Sequence, residues 1–381
     1  MIKHLEIGIE ANTWPSSGSV PPALTSAFVA GSYDVNLLGV TLFIGVLTRP
    51  PMRHGFALSD LWAWMRYLPA FASGQELRLK EEWSSIDFHH KAVASGDFGV
   101  GFSTWILSDL LGFRDYIDVL HVASVLAPHL LILRGNNPRG PRKSPDYLAI
   151  GPGRQFNIVE CKGSQTSSAH LRQALGSGMP QKANATLVGQ QFAMSLVSGV
   201  FVPQWESRER ATLLVCDPDK KDVKSVLMQF SPAELGRASA RVSYARDLAQ
   251  FNMPSTVSTL MGIKQSPATI GGAIQADLTE GRAGAPVLEN GRIVLRRTHS
   301  WDEPLVIDNY LATGISFAAE VPRGNLDFLR RSGSADEFGE AQWETGWQGG
   351  PGIEISEVSV RLVSTNGVSF TLSLLGKEED Q

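Results

Sequence analysis

The chain has 381 residues, of which 43% are hydrophobic, and this length predicts two or three domains rather than one hydrophobic core. Its formal charge of −4 argues against the strongly basic surface of a general nucleic-acid coat, although it permits a local basic site. Two widely spaced cysteines, Cys161 and Cys216, provide neither a disulfide framework nor zinc-ligand spacing. The lack of a disulfide framework favours a reducing cytoplasm, and no apolar run reaches the roughly 20 residues of a membrane span. We therefore expect a cytoplasmic globular protein without membrane contact.

Residues 1–75 are predicted to form an N-terminal accessory region, because proline pairs interrupt them repeatedly. Their most apolar run, 37–47, is too short to cross a bilayer and predicts a buried strand or helix. The aromatic segment 61–67 contains one basic residue, which favours a place in the core or a subunit interface over a base-stacking surface.

Residues 76–235 are predicted to form the central domain. Its first core helix is expected near 97–111, because Phe102, Ile106 and Leu110 recur at four-residue spacing and Gly112 stands where a helix would stop. An acid at the start of this helix, Asp97, would complement the backbone dipole.

Two β-prone runs follow, Tyr147 to Ile150 and Phe156 to Val159, and the five residues between them include two glycines and a proline. This pattern predicts a β-hairpin. If Ile150 faces Phe156, then Asp146 faces Glu160, and Lys162 shares a strand face with Glu160. The register therefore predicts that two carboxylates and one amine converge.

Two facing carboxylates repel each other unless a cation lies between them, and hard oxygen ligands suit Mg²⁺ or Mn²⁺. Such an ion polarises a phosphoryl oxygen and activates water, while a neighbouring ammonium group such as that of Lys162 orients the water or neutralises phosphate charge. The predicted chemistry is phosphodiester hydrolysis. The competing interpretation of the same residues is an exposed ion pair on a strand after a Pro-Asp turn.

Pro145-Asp146, thirteen intervening residues and then Glu160-Cys161-Lys162 resembles the signature of the PD-(D/E)xK nuclease superfamily, with the match strong over Pro145–Gly163. The resemblance implies that Asp146, Glu160 and the Cys161 carbonyl bind the metal and that Lys162 assists the nucleophile. It also implies an additional acidic ligand from the first core helix, for which Asp97 is the candidate and Glu82 the reserve.

The implied fold is an α/β restriction-endonuclease-like core with a mixed central β-sheet flanked by helices, plus the N-terminal region and a small C-terminal β-rich domain. Strands near 197–202 and 211–216 would complete the sheet. Residues 236–381 are assigned to the β-rich domain, because Asn290-Gly291 and Asn366-Gly367 are each set between β-prone runs.

The segments beside the motif predict contacts with nucleic acid. A Gly/Pro/Asn-rich loop carries Arg139, Arg142 and Lys143, which are expected to contact backbone phosphates unless the loop is an ordinary solvated one. Residues 169–175 predict a helix that ends at Gly176. By resemblance this region supplies a polar side chain to the site, and the candidates are Gln173, Gln181 and Lys182. Gln181 and Lys182 are predicted to begin a further helix. The alternative is that all three side chains simply lie on the surface.

The combined prediction is a Mg²⁺-dependent or Mn²⁺-dependent endonuclease that acts on DNA rather than RNA. By resemblance its role is bacterial defence or restriction, as a homo-oligomer or as a subunit of a multi-protein complex. The alternative is a catalytically inactive nuclease-fold protein that serves as a DNA-binding or scaffolding subunit.

Overall fold

The computed structural model describes residues 1–48, 62–113, 115–126, 128–133, 144–182, 184–187, 192–217, 232–262, 269–279, 286–308, 310–345, 352–364 and 366–376. Within these ranges, no helix combines the length and the apolar character needed to cross a membrane. The protein is mixed α/β, with a seven-stranded mixed sheet, a separate six-stranded antiparallel sheet and a two-stranded ribbon.

The seven-stranded sheet and the ribbon are formed by the strands up to residue 216. In chain order these are β1 Ile2–Ile9, β2 Tyr33–Asn36, β3 Asp115–Asp118, β4 Leu131–Leu133, β5 Tyr147–Ile150, β6 Phe156–Ser164, β7 Ala185–Leu187, β8 Ser195–Phe201 and β9 Thr212–Cys216. The large sheet has the order β2-β1-β9-β8-β6-β5-β3, and β4 pairs with β7. It is mixed because β1 with β9 and β6 with β8 are parallel, whereas the other neighbours are antiparallel. The predicted mixed sheet is therefore confirmed.

The N-terminal segment belongs to this sheet. Strand β1 lies between β2 and β9, and Ile7 is paired with Leu213. The prediction that 1–75 is an accessory region apart from the core is therefore wrong for β1 and β2. The reason is that the partner of β1 is some two hundred residues away in the chain, a separation that local sequence patterns do not report.

Helices flank the sheet: α1 Pro22–Ala30, α2 Leu37–Leu47, α3 Trp62–Tyr67, α4 Phe88–Leu111, the single turn α5 Val119–His121 and α6 Ser168–Lys182. The predicted first core helix is α4. It ends as predicted, with Gly112 at a φ of 65°, but it begins at Phe88 because the Asp87 carboxylate accepts the free backbone N–H groups of His89 and His90 at 2.8 and 3.1 Å. Asp97 therefore lies inside the helix and not at its start.

Helix α6 runs through Gly176, its predicted end, as far as Lys182. Gln181 and Lys182 are thus the last residues of this helix, and the prediction that they begin another is wrong. Tertiary packing overrides the local stop signals, because Leu171 and Leu175 bury their side chains against β8 and β9.

The C-terminal half begins with α7 Pro232–Ala249, α8 Pro254–Leu260 and α9 Ile270–Thr279. The second sheet has the order β10-β11-β12-β15-β14-β13. Its strands are β10 Val287–Glu289, β11 Arg292–Ile307, β12 Tyr310–Val321, β13 Gly352–Ile355, β14 Ser359–Val363 and β15 Ser369–Gly376, and α10 Arg323–Arg331 and α11 Ala335–Thr345 follow β12. Both predicted Asn-Gly hairpins are confirmed, and at the first one Asn290 and Gly291 have φ values of 50° and 75°.

The two sheets are joined through buried contacts. Trp64 of α3 stacks on Phe317 of β12 with ring centroids 4.9 Å apart. The fully buried Lys3 of β1 forms an ion pair with Asp308 at 2.8 Å. These contacts fix the second sheet against the first.

Candidate active site

The predicted hairpin register is confirmed. Ile150 is paired with Phe156 and Tyr147 with Val159, so Asp146, one residue before β5, lies opposite Glu160. The Asp146 N–H donates to Glu160 Oε2 at 3.2 Å, and the Cys161 N–H donates to Asp146 Oδ2 at 2.8 Å. Each carboxylate thus accepts a backbone N–H from the strand of the other, and the two acids are held together where β5 begins.

Lys162 completes the group. Its ammonium donates to Glu160 Oε1 and to Gln181 Oε1, the latter at 2.7 Å. The Glu160 side chain is 1% exposed, whereas that of Lys162 is 20% exposed. The structure therefore brings together Asp146, Glu160, Lys162 and Gln181, and within this group the Lys162 side chain is more exposed than that of Glu160.

Two glycines allow helices to approach β6 this closely. A Cβ atom on Gly178 of α6 would lie 3.1 Å from Lys162 Cε and 3.2 Å from Glu160 Cγ. On the other face of the strand, a Cβ on Gly163 would lie 1.7 Å from the Ser95 carbonyl oxygen of α4. The part of β6 that bears Glu160 and Lys162 is therefore closely packed between α6 and α4.

Burial perturbs the acids. It raises the pKa of Glu160 to about 7, with the nearby charge of Asp146 as the second cause, and Lys162 only partly offsets this shift. Burial also raises the pKa of Asp146 above its ordinary value, against the opposing effects of the Cys161 N–H and of Lys162. The pair is electrostatically strained when both groups are ionised, a state that an added cation would relieve.

Oxygen donors of this kind would suit a hard divalent cation. Besides the two carboxylates, the Cys161 carbonyl lies on the same edge of β6 as the Cys161 N–H, which points at Asp146. Burial raises the pKa of the Cys161 thiol, so this residue offers its carbonyl and not a thiolate. Among the described residues, no group of three His, Cys, Asp or Glu side chains is placed to hold a metal. The protein would supply two carboxylates and a carbonyl, a donor set typical of Mg²⁺, which keeps several waters.

Asp97 does not join this group. Ser95 and Gly99 face β6, and a residue two positions along a helix from either is rotated by about 200° from it. Asp97 accepts a hydrogen bond from the Tyr67 hydroxyl of α3, and burial raises the pKa of the Asp97 carboxyl. The reserve candidate, Glu82, is exposed in a short 3₁₀ turn.

The other predicted contacts have different outcomes. Gln173 is exposed on α6. Lys182 is buried and lies 3.5 Å from Asp217, so it is not presented to a phosphate at the surface. The basic residues predicted to contact phosphate, Arg139, Arg142 and Lys143, lie outside the described residues.

Sequence reasoning missed a cleft beside Asp146, which has a volume of about 190 Å³. Asp118 of β3 and Val242 and Arg246 of α7 contribute to its walls. Asp118 could have been found as an acid at the end of a β-prone run. Helix α7 could not, because it begins about seventy residues beyond the motif.

No protein-family model matches this chain, and neither a curated protein nor a solved structure is significantly similar to it. The functional assignment therefore depends on the geometry of the site.

Proposed function

We propose that this protein is a Mg²⁺-dependent endonuclease that hydrolyses phosphodiester bonds in DNA, with Asp146, Glu160 and Lys162 as its catalytic residues. The observation that supports this proposal most directly is the pair of carboxylates joined across two strands through backbone N–H groups, with an ammonium group beside them. Burial raises the pKa of both acids. Strained acids beside a base or a cation are a common property of catalytic sites.

The chain's own residues have separate tasks in this proposal. Asp146, Glu160 and the Cys161 carbonyl would hold the ion, which when bound supplies Lewis-acid polarisation of the phosphate and a more acidic water. Lys162 has three N–H donors, of which one is directed at Glu160 and one at Gln181. The third remains for a water or for a phosphoryl oxygen, so Gln181 acts by fixing the direction of the amine.

The reaction is a hydrolysis. The water oxygen forms a bond to phosphorus, one phosphorus–oxygen ester bond breaks, the water proton passes to solvent and the departing oxygen is protonated. The products are a phosphate monoester and a hydroxyl. Lys162 neutralises charge that develops on the phosphate, and the partial burial of its side chain limits the screening of its charge by solvent.

The role in defence or restriction is proposed on the resemblance alone. A nuclease with this motif and with additional folded parts would serve in bacterial defence or restriction, in the cytoplasm, as a homo-oligomer or within a larger complex. Mn²⁺ would replace Mg²⁺, because it accepts the same oxygen donors.

Cleavage of plasmid and oligonucleotide DNA in the presence of Mg²⁺, Mn²⁺ or EDTA tests the proposal. We expect Glu160→Gln and Lys162→Gln each to reduce the rate by roughly a hundredfold or more, as removal of a single preorganised group commonly does. Two matched variants, Glu206→Gln at an exposed site and Lys91→Gln on α4, should retain the wild-type rate. Equal rates in all five proteins, or cleavage that survives EDTA, would exclude the proposed site.

A second candidate function is favoured by one specific observation. Because each carboxylate already accepts a backbone N–H from the opposite strand, the same pair could act as a structural clasp in a non-catalytic DNA-binding or scaffolding subunit. This alternative predicts no cleavage with either metal, and it predicts that Glu160→Gln destabilises the protein.

A further inference from the structure

The cleft beside Asp146 lies on the β3 side of the site, and Asp146 forms part of its wall. Whatever occupies this cleft is therefore in contact with one of the two carboxylates that would hold the metal. Because Asp146 belongs both to the proposed metal site and to the wall of the cleft, the cleft bears on what substrate the proposed nuclease accepts.

The charges of the cleft are unfavourable for a phosphate. Within the part of the chain that the structure describes, the cation of its lining is Arg246, whose guanidinium donates to Asp115 at 2.6 Å and to the Tyr116 carbonyl. This side chain is 14% exposed and already neutralised. Asp118 and Asp146 add negative charge. An uncharged group is accepted here more readily than a second phosphate.

The size and the apolar walls of the cleft favour a ring system. Leu47, Leu120 and Val242 form apolar parts of the wall, and Leu120 is 41% exposed. Tyr116 and Tyr147 also line the cleft and pack edge to face, with ring centroids 5.9 Å apart, which gives it a rigid aromatic part. A volume of about 190 Å³ is below the roughly 300–1,000 Å³ of a drug-sized ligand site, so it suits one ring system.

We propose that this cleft binds the nucleobase of the nucleotide next to the scissile phosphate, and that the substrate is therefore single-stranded or locally unpaired DNA. The inference rests on the proposed nuclease function and specifies its substrate class. A base stacked in a duplex must leave the stack to enter a concave cleft, and this costs least when the base is already unpaired.

Different walls of the cleft contact different parts of the base. The leucine and valine side chains contact its faces. Asp118 accepts a hydrogen bond from the His121 N–H at 2.6 Å, and its carboxylate has further acceptor positions for the amino group of a base edge.

Three oligonucleotides of one sequence test the substrate class: a single strand, a continuous duplex and a duplex with one bulged nucleotide. With Mg²⁺ we expect the single strand and the bulged duplex to be cleaved at least about tenfold faster than the continuous duplex. In the bulged duplex the cut should fall beside the bulge. Equal cleavage of the continuous duplex and the single strand overturns the proposal.

A cycle of one enzyme variant and one substrate change tests the cleft itself. Leu120 is exposed, so Leu120→Ala should leave folding intact, and Val125→Ala, which truncates another exposed residue nearby, is the matched control. We expect Leu120→Ala to lower kcat/KM for the single strand about fivefold and an abasic position beside the cut to lower it about tenfold. The wild-type enzyme and Leu120→Ala should cleave the abasic strand at the same rate. Fully additive effects overturn the proposal.

Failure of the parent function gives a different result from failure of this inference. If no DNA is cleaved with Mg²⁺ or Mn²⁺, the nuclease proposal falls, and the cleft is then judged by binding alone. A labelled single strand should bind the wild-type protein more tightly than it binds Leu120→Ala. It should also bind the wild-type protein more tightly than the matching abasic strand does. Identical Kd values for all these pairs overturn the cleft proposal, whatever the outcome of the cleavage assays.

Discussion

Replacing Glu160 by glutamine should stabilise the metal-free protein while it abolishes cleavage. The carboxyl is almost fully buried, and burial together with the charge of Asp146 makes ionisation unfavourable. A glutamine keeps the shape of the side chain and removes the charge. The prediction is specific to a catalytic site, because a purely structural ion pair should lose stability when one partner is neutralised.

The magnitude follows from the pKa. A rise from 4.5 in the unfolded chain to about 7 in the folded protein disfavours the ionised form by about 3 kcal/mol. An amide has one acceptor oxygen where a carboxylate has two, so the hydrogen bonds from Asp146 and Lys162 cannot both be kept. We therefore expect a net gain in the free energy of unfolding of about 1–3 kcal/mol at pH about 8.

The sign of the pH dependence provides the sharper test. Because the folded-state pKa of Glu160 is raised, the stability that its proton contributes is fully present below pH about 4.5 and is lost as the pH rises through about 7. Relative to wild type, Glu160→Gln should thus gain about 3 kcal/mol as the pH rises across this window.

Urea denaturation at several pH values, in EDTA and in millimolar Mg²⁺, measures these differences. Glu206→Gln, at an exposed site, is the control for removal of one negative charge and should follow wild type. Mg²⁺ should stabilise wild type at pH about 8, by about 1.4 kcal/mol at ten times its Kd, and should stabilise Glu160→Gln less. A Glu160→Gln protein that is less stable than wild type at pH about 8 in EDTA would refute the strained-site reasoning and favour the structural clasp.

Three further results are expected. Gly178→Ala places a Cβ 3.0–3.2 Å from Val197, Lys162 and Glu160, and it should lower the free energy of unfolding by about 1–3 kcal/mol and remove most of the activity. Gly176→Ala places its Cβ where nothing lies within 4 Å, so it should instead stabilise α6 by up to about 1 kcal/mol. The Tm and the cleavage rate of both variants measure these effects. At subsaturating Mg²⁺, kcat/KM should rise as the pH passes through about 7, where Glu160 loses its proton, and a flat profile would contradict its role as a ligand. Asn366→Ala removes the hydrogen bonds that the Asn366 amide donates to Ser243 and Asp247 at 2.8 and 2.7 Å, and it should lower the free energy of unfolding by about 1–3 kcal/mol. An unchanged urea midpoint would show that these two buried hydrogen bonds contribute nothing to stability.

The hairpin was predictable from the sequence because every signal for it is local. The turn between Ile150 and Phe156 and the two-residue alternation of the strands fix the register without reference to the rest of the chain. Once the register is set, Asp146 must face Glu160. The Gly112 helix stop and the two Asn-Gly hairpins are local for the same reason.

Contacts between distant segments decided the rest. The place of β1 beside β9, the continuation of α6 beyond Gly176 and the turning of Asp97 toward Tyr67 all depend on packing against elements far away in the chain. By itself, the sequence determined that two acids and an amine would meet on one hairpin. Only the tertiary structure decided that Gln181 would hold the amine and that burial would raise the pKa of Glu160. It also placed α7 so that a cleft is formed at Asp146, because burial and long-range packing arise only when the whole chain is assembled.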